Sequence, residues 1–101
     1  MSQEVFLSVV IPVFNEEESL PPLCDKLHAV LEGLDKEYEV IFVDDGSTDR
    51  SFEVMRELRD VYPAIRAVRF RRNYRKAAAL ATGFSEARGE VIITMEVQIQ
   101  I

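Results

Sequence analysis

Four runs of strand-forming residues alternate with three helical repeats along this chain, and that order restricts the fold more than any single residue does. "FLSVVIPVF", residues 6–14, is dense in apolar β-branched side chains at odd and even positions alike, the pattern of a strand buried on both faces. "YEVIFV", residues 38–43, repeats it, whereas "IRAVRF", residues 65–70, alternates and is expected to be less buried. "EVIITMEVQIQI", residues 90–101, reads as a fourth strand, with Met95, Val97, Ile99 and Ile101 on one face and Thr94, Glu96, Gln98 and Gln100 on the other.

The intervening segments carry helical signals. Leu20, Leu23, Leu27, Val30, Leu31 and Leu34 recur at helical spacing, behind Ser19 as an N-cap and ahead of Gly33 as a stop. Pro21 and Pro22 are tolerable only in a first turn. In the second helix Phe52, Met55 and Leu58 form the inner stripe, Ser47 or Thr48 serves as cap, Asp49 favours the N-terminus and Pro63 prevents continuation. "RKAAALATGFSEARG", residues 75–89, is rich in good helix formers and is expected to end at Gly89. Strands and helices in this order imply a parallel α/β sheet with helices on its faces. Ligands in such sheets sit beyond the carboxyl ends of the strands. The loops "PVFNEEE", "DDGSTD" and "RRNYRK" lie there.

The chain has 101 residues, enough for a single domain over 1–101. A net charge of -6 argues against a general nucleic-acid binder. Six of the 12 Lys and Arg residues nevertheless fall between Arg66 and Lys76, either to meet an anionic ligand or as a solvated strand end. No apolar run reaches membrane-spanning length, and no secretory leader is read, so a cytoplasmic location is expected. Cys24 is the only cysteine and reads as a small core residue; His28, also alone, reads as a helix-surface or half-buried side chain without a nucleophile beside it. A phosphate-cradling glycine loop and a His/Cys metal cluster are both lacking.

Two loops carry chemistry of interest. Asp44 and Asp45 leave a buried strand side by side, and capping of the next helix does not explain a repelling pair; one of them suits hydrogen bonds from a ligand's ring or ribose. Pro12, Phe14, Asn15 and Glu16 stand at the mouth of the first strand. Phe14 can stack on a flat ring and Glu16 can accept a hydrogen bond, or Glu16 to Glu18 simply favour a helix N-terminus. A response-regulator receiver, which also carries an acid pair, would place that pair after the first strand and an aspartate after the third, where Phe70 and Arg71 stand instead.

Taken in order, "SVVIPVFNEEESLPPL", "YEVIFVDDGSTDRS" and "RFRRNYRKAAALATGFSEARGEVIITM" resemble the N-terminal part of family 2 glycosyltransferases, closest to the branch with dolichol-phosphate mannose synthase and other polyprenol-phosphate glycosyltransferases. The resemblance implies a three-layer Rossmann-like half of a GT-A fold, with three helices and a four-stranded parallel sheet ordered 3-2-1-4. It implies sugar transfer from a nucleotide diphosphate donor to a polyprenol phosphate, with Mg or Mn in the parent family, at the cytoplasmic face of a membrane. By position, Pro12, Phe14 and Glu16 would line the nucleoside pocket, Val43 and Asp45 would hold the base with Asp44 nearby, and Asn73 and Lys76 would lie near the donor, Lys76 against the diphosphate.

The resemblance breaks after the fourth strand. Family members carry Asp-Ala-Asp-Leu-Gln-Asp, and here residues 96–101 form an altered terminal strand. The two metal-binding positions hold Glu96 and Gln98, and neutral Gln is a poor ligand for a hard cation. No catalytic residue and no resident cofactor are therefore expected, and the chain reads as an inactive fragment with at most weak binding of a nucleotide or nucleotide-sugar. Loss of acids together with gain of strand formers reads as an engineered ending, with a natural truncated or frame-disrupted variant as the other reading. A long uncharged edge strand is also a template for pairing, so a homo-oligomer through the last strand, serving structure with no ligand, is the alternative role.

Overall fold

A computed structural model of the chain describes residues 4–97. Elements run β1 (Leu7–Val13), α1 (Leu20–Glu32), β2 (Tyr38–Asp44), α2 (Ser51–Val61), β3 (Ile65–Arg69), α3 (Lys76–Glu86) and β4 (Val91–Thr94). The strands are parallel and ordered β3-β2-β1-β4, as expected. Because neighbouring side chains alternate between faces, β1 and β2 build two cores at once. Val9, Ile11, Val13, Val40 and Phe42 meet α1 and α2 on one face. Val10, Ile41 and Val43 meet Ala79 of α3 on the other, which completes three layers. A Cβ on Gly83 would come within 2.2 Å of Val10 Cγ1, so glycine is what lets α3 lie this close to β1.

Several boundaries differ from the sequence expectation, each for a local reason. The fourth strand, expected over 90–101, ends at Thr94; residues 98–101 lie outside the described residues. The Asp45 amide donates to Val13 O, so odd residues of β1 turn their backbone groups to β2 and even ones to β4. Met95 N donates to Val10 O, and the next donor toward β4 would belong to Pro12, which has none. The ladder stops there, while Met95 and Val97 still pack against the α1/α2-side core. Helix α3 ends at Glu86 instead of Gly89, because the Arg88 and Gly89 amides bond to Glu39 and Ser8. Val30 of α1 and Leu34, beyond its end, are exposed, and the buried positions between the leucines of α1 are Cys24 and His28. His28 is 2% exposed, stacked on Tyr62 at 4.0 Å, with its Nδ1 2.8 Å from Cys24 O. Burial, with Asp25 nearby, pushes the Cys24 thiol up to about 12.

One polar cluster joins the amino-terminal half of the sheet. Glu39 is buried on the α3 face, where an unpaired carboxylate would be costly. Its Oε2 accepts from Ser8 Oγ at 2.6 Å and Arg88 N at 2.7 Å. Its Oε1 accepts from Arg66 Nη1 at 2.9 Å and from Arg88 Nη2 at 3.1 Å. Ser8 Oγ in turn accepts from Gly89 N at 2.8 Å, and Arg66 reaches Glu86 at the end of α3. Burial alone would raise the Glu39 carboxyl, but Ser8, the Arg88 amide and the two guanidinium groups together hold it below its ordinary 4.5. A depressed carboxylate contributes stability that is complete above its unfolded-state value and is lost as pH falls through the folded one. Glu39→Gln is expected to lose about 1.5–3 kcal/mol at neutral pH, the range for hydrogen bonds to a charged group whose arginine partners can rehydrate. Urea denaturation between pH 3 and 7 checks this: the parent should lose stability on acidification more steeply than the variant.

Candidate functional site

The carboxyl ends of β1, β2 and β3 are tied together by side chains that replace helix caps. Asn15, at φ 53°, turns the chain sharply after β1. Asparagine tolerates this left-handed conformation better than most residues. Its Oδ1 accepts from the amides of Thr48 at 2.8 Å and Asp49 at 3.2 Å, and its own amide donates to Ser47 Oγ at 2.9 Å. The Glu16 amide donates to Ser51 Oγ at 2.9 Å, and the Glu17 amide to Asp49 Oδ2 at 3.3 Å. Ser47 and Thr48 therefore do not cap α2, which starts at Ser51 with Arg50 at the cap position. They clamp the β1–α1 loop onto the β2–α2 loop. Asp49 turns back on Ser51 N at 2.8 Å; burial opposes its charge, but the Ser51 and Glu17 bonds outweigh it and hold the carboxyl low. Ser19 likewise makes no side-chain cap; Glu16 O accepts the Ser19 and Leu20 amides.

The two adjacent aspartates have separate surroundings. Asp44 is fully buried; its Oδ1 accepts from Ser47 N at 2.9 Å, and its Oδ2 lies 3.9 Å from Arg69 Nε without a hydrogen bond. Asp45 faces the loop after β3. Its Oδ1 accepts from Tyr74 N at 2.7 Å and its Oδ2 from Asn73 Nδ2 at 3.0 Å. Gly46, at φ 76°, permits that loop to lie directly on it, since a Cβ there would come within 2.2 Å of the Arg72 carbonyl carbon.

These contacts frame a pocket of about 170 Å³ lined by Pro12, Val13, Phe14, Glu16, Asp45, Lys76, Glu96 and Val97. Pro12, Phe14, Glu16, Asp45 and Lys76 were named from the sequence, and the fold brings them together here. Val43 lies in the core under α3, Asp44 beneath the turn, and Asn73 behind Asp45; none of the three lines the pocket. Val13 and Val97 were missed, Val97 because its position depends on where β4 stops. Phe14 is 46% exposed, and Glu16 Oε2 is buried without a hydrogen-bond partner. Lys76, at the start of α3, is paired with Glu96. A larger depression, about 700 Å³, opens at the opposite end of the sheet beside His28, Tyr38 and Tyr62.

Removing the Asn15 side chain should loosen the clamp. Asn15→Gly keeps the left-handed turn accessible and is expected to cost about 1–2 kcal/mol for the lost acceptor. Asn15→Ala is expected to cost more, by adding backbone strain. Thermal denaturation of the two variants separates the two contributions, and equal losses would assign the whole effect to the clamp.

The model of the family described as glycosyl transferase family 2 matches residues 8–97. Among curated proteins, the undecaprenyl-phosphate 4-deoxy-4-formamido-L-arabinose transferase of Pectobacterium carotovorum subsp. carotovorum is 46% identical over 95 residues, which are 93% of this chain and 29% of that protein. The Edwardsiella ictaluri protein of the same name is 42% identical over 97 residues, 94% of this chain and 30% of its own length. The chain thus spans about 30% of the length of the curated relatives it matches. Among solved structures, mannosyltransferase PcManGT from Pyrobaculum calidifontis, in complex with GDP-Man and Mn2+, aligns with a TM-score of 0.73 at 25% identity, over 95% of this chain and 28% of that one. TarS 1–349 of S. aureus in complex with UDP aligns with a TM-score of 0.74 at 23% identity, over 92% and 27% of the two chains, a likeness of fold alone.

Proposed function

The chain belongs to glycosyl transferase family 2, and on that premise we propose that it is the nucleotide-binding part of an enzyme that moves sugar from a nucleotide-diphosphate donor to a polyprenol-phosphate acceptor. In this form it binds nucleotide weakly and does not turn over. The observation that carries the reading is the convergence of Pro12, Phe14, Glu16, Asp45 and Lys76 on one pocket at the carboxyl ends of the strands. Phe14 offers a stacking face, Glu16 an unused acceptor and Asp45 a second carboxylate. Asn73 and Asp44 position Asp45 and the turn after it, and Val43 supports them from the core. The relatives' names, undecaprenyl-phosphate sugar transferases, support the acceptor class and with it a membrane-linked acceptor for the parent enzyme. No described helix is long and apolar enough to cross one.

A divalent cation does not fit the described residues. A hard cation requires several oxygen ligands converging on one point. Among the described residues no group of three or more His, Cys, Asp or Glu can hold one, and Glu96 is paired with Lys76. Gln98 lies outside the described residues. This mismatch supports the absence of turnover. UDP and GDP titrations, followed by amide shifts, are expected to move Phe14, Asp45 and their neighbours at millimolar ligand, equally with and without manganese. Sugar transfer from a labelled donor by this chain alone would sink the reading of inactivity.

The exposed edge of the sheet favours a second reading, assembly without ligand. Val91, Ile92 and Ile93 of β4 are 42%, 40% and 41% exposed, and among the described residues β4 has a single neighbour in the sheet. Such an edge invites pairing with a second copy. Sedimentation equilibrium is expected to show a dimer that Ile92→Lys returns to monomer; a monomeric parent at high concentration removes this reading.

A further inference from the structure

Among the described residues the pocket is lined by three carboxylates, Glu16, Asp45 and Glu96, and one ammonium, Lys76. These groups leave it formally negative. Lys76 is not idle: Glu96 holds it. Each of the pair is about half exposed, so the pair is easily screened but also easily replaced. The other cations of the nearby loop do not line the pocket. Arg72 lies 5.0 Å from the Tyr74 ring, and Arg69 lies beside Asp44 and 4.9 Å from the Phe52 ring. Arg71 and Arg75 are exposed outside it. A phosphate entering the pocket therefore has to take Lys76 from Glu96 and then face the carboxylate it displaced. A neutral ring meets no such opposition. Pro12, Val13, Phe14 and Val97 provide apolar walls, and the unpartnered Glu16 Oε2 needs a donor. At about 170 Å³ the cavity is also below the usual volume of a site that encloses a whole ligand.

We infer that this pocket selects an uncharged, donor-bearing ring over its phosphorylated forms, and that Glu96 sets the preference by neutralising Lys76. The inference rests on the nucleotide-binding reading above and concerns which part of the nucleotide is held. Uridine, guanosine, UDP and GDP are titrated without metal into the parent chain and into Glu96→Gln, with binding read by amide shifts or calorimetry. The parent is expected to bind each nucleoside at least as tightly as its diphosphate. Glu96→Gln should raise diphosphate affinity about fivefold, the scale of a solvent-exposed charge pair, and leave the nucleosides within about twofold. Tighter diphosphate binding by the parent overturns the inference while leaving the nucleotide-binding reading intact. So does an equal gain for both ligand types in the variant. Absence of binding by any nucleoside or nucleotide removes both.

Discussion

The buried carboxylate of Glu39 is the interaction on which the arrangement of this sheet depends. A charge in that place has to be matched from several directions, and the matching groups come from separate elements: Ser8 of β1, Arg66 of β3 and Arg88 after α3. Satisfying one carboxylate therefore registers three strands, ends α3 and delivers the chain to the start of β4 through Gly89. Apolar packing is permissive about small shifts, whereas these bonds are not. The two hydrophobic cores hold the layers together, and the Glu39 cluster decides how they are aligned.

The carboxyl end of the sheet uses the same chemistry less completely. There too, polar side chains bind neighbouring loops, with Asn15 joining β1 to the turn after β2 and Asp45 joining that turn to the loop after β3. Yet Glu16 Oε2 and Asp44 Oδ2 are left without hydrogen bonds. Buried oxygens of this kind are costly, and they gather where a ligand can complete them. The two unpaired carboxylate oxygens at this end agree with the placement of ligands in open parallel sheets. The depression beside His28 lies at the opposite end, where His28 Nε2 is also buried without a hydrogen-bond partner, and it is bordered by aromatic rings engaged with one another.

Much of the site was legible because its residues sit at fixed offsets from strand ends. Phe14 and Glu16 follow β1, Asp45 follows β2, and Lys76 opens α3. The strand periodicity fixes where each strand ends, and so the loop ends follow. Less legible were the partners. Ser47, Thr48 and Asp49 have the composition of a helix cap, and nothing local reveals that Asn15, 32 or more residues away in sequence, competes for their groups. Val43 and Asp44 adjoin Asp45 in sequence, but the alternation of a buried strand sends Val43 into the core.

Sequence alone determined the order of elements, the parallel sheet and the family, because those rest on periodicity and on short motifs whose spacing survives in one dimension. Tertiary structure alone decided where β4 ends and what closes the pocket. The alternating residues 90–101 read as one continuous strand, but a strand extends only where its neighbour offers donors, and Pro12 of β1 offers none. That missing amide lies more than eighty residues away along the chain, and only the fold sets it against Glu96.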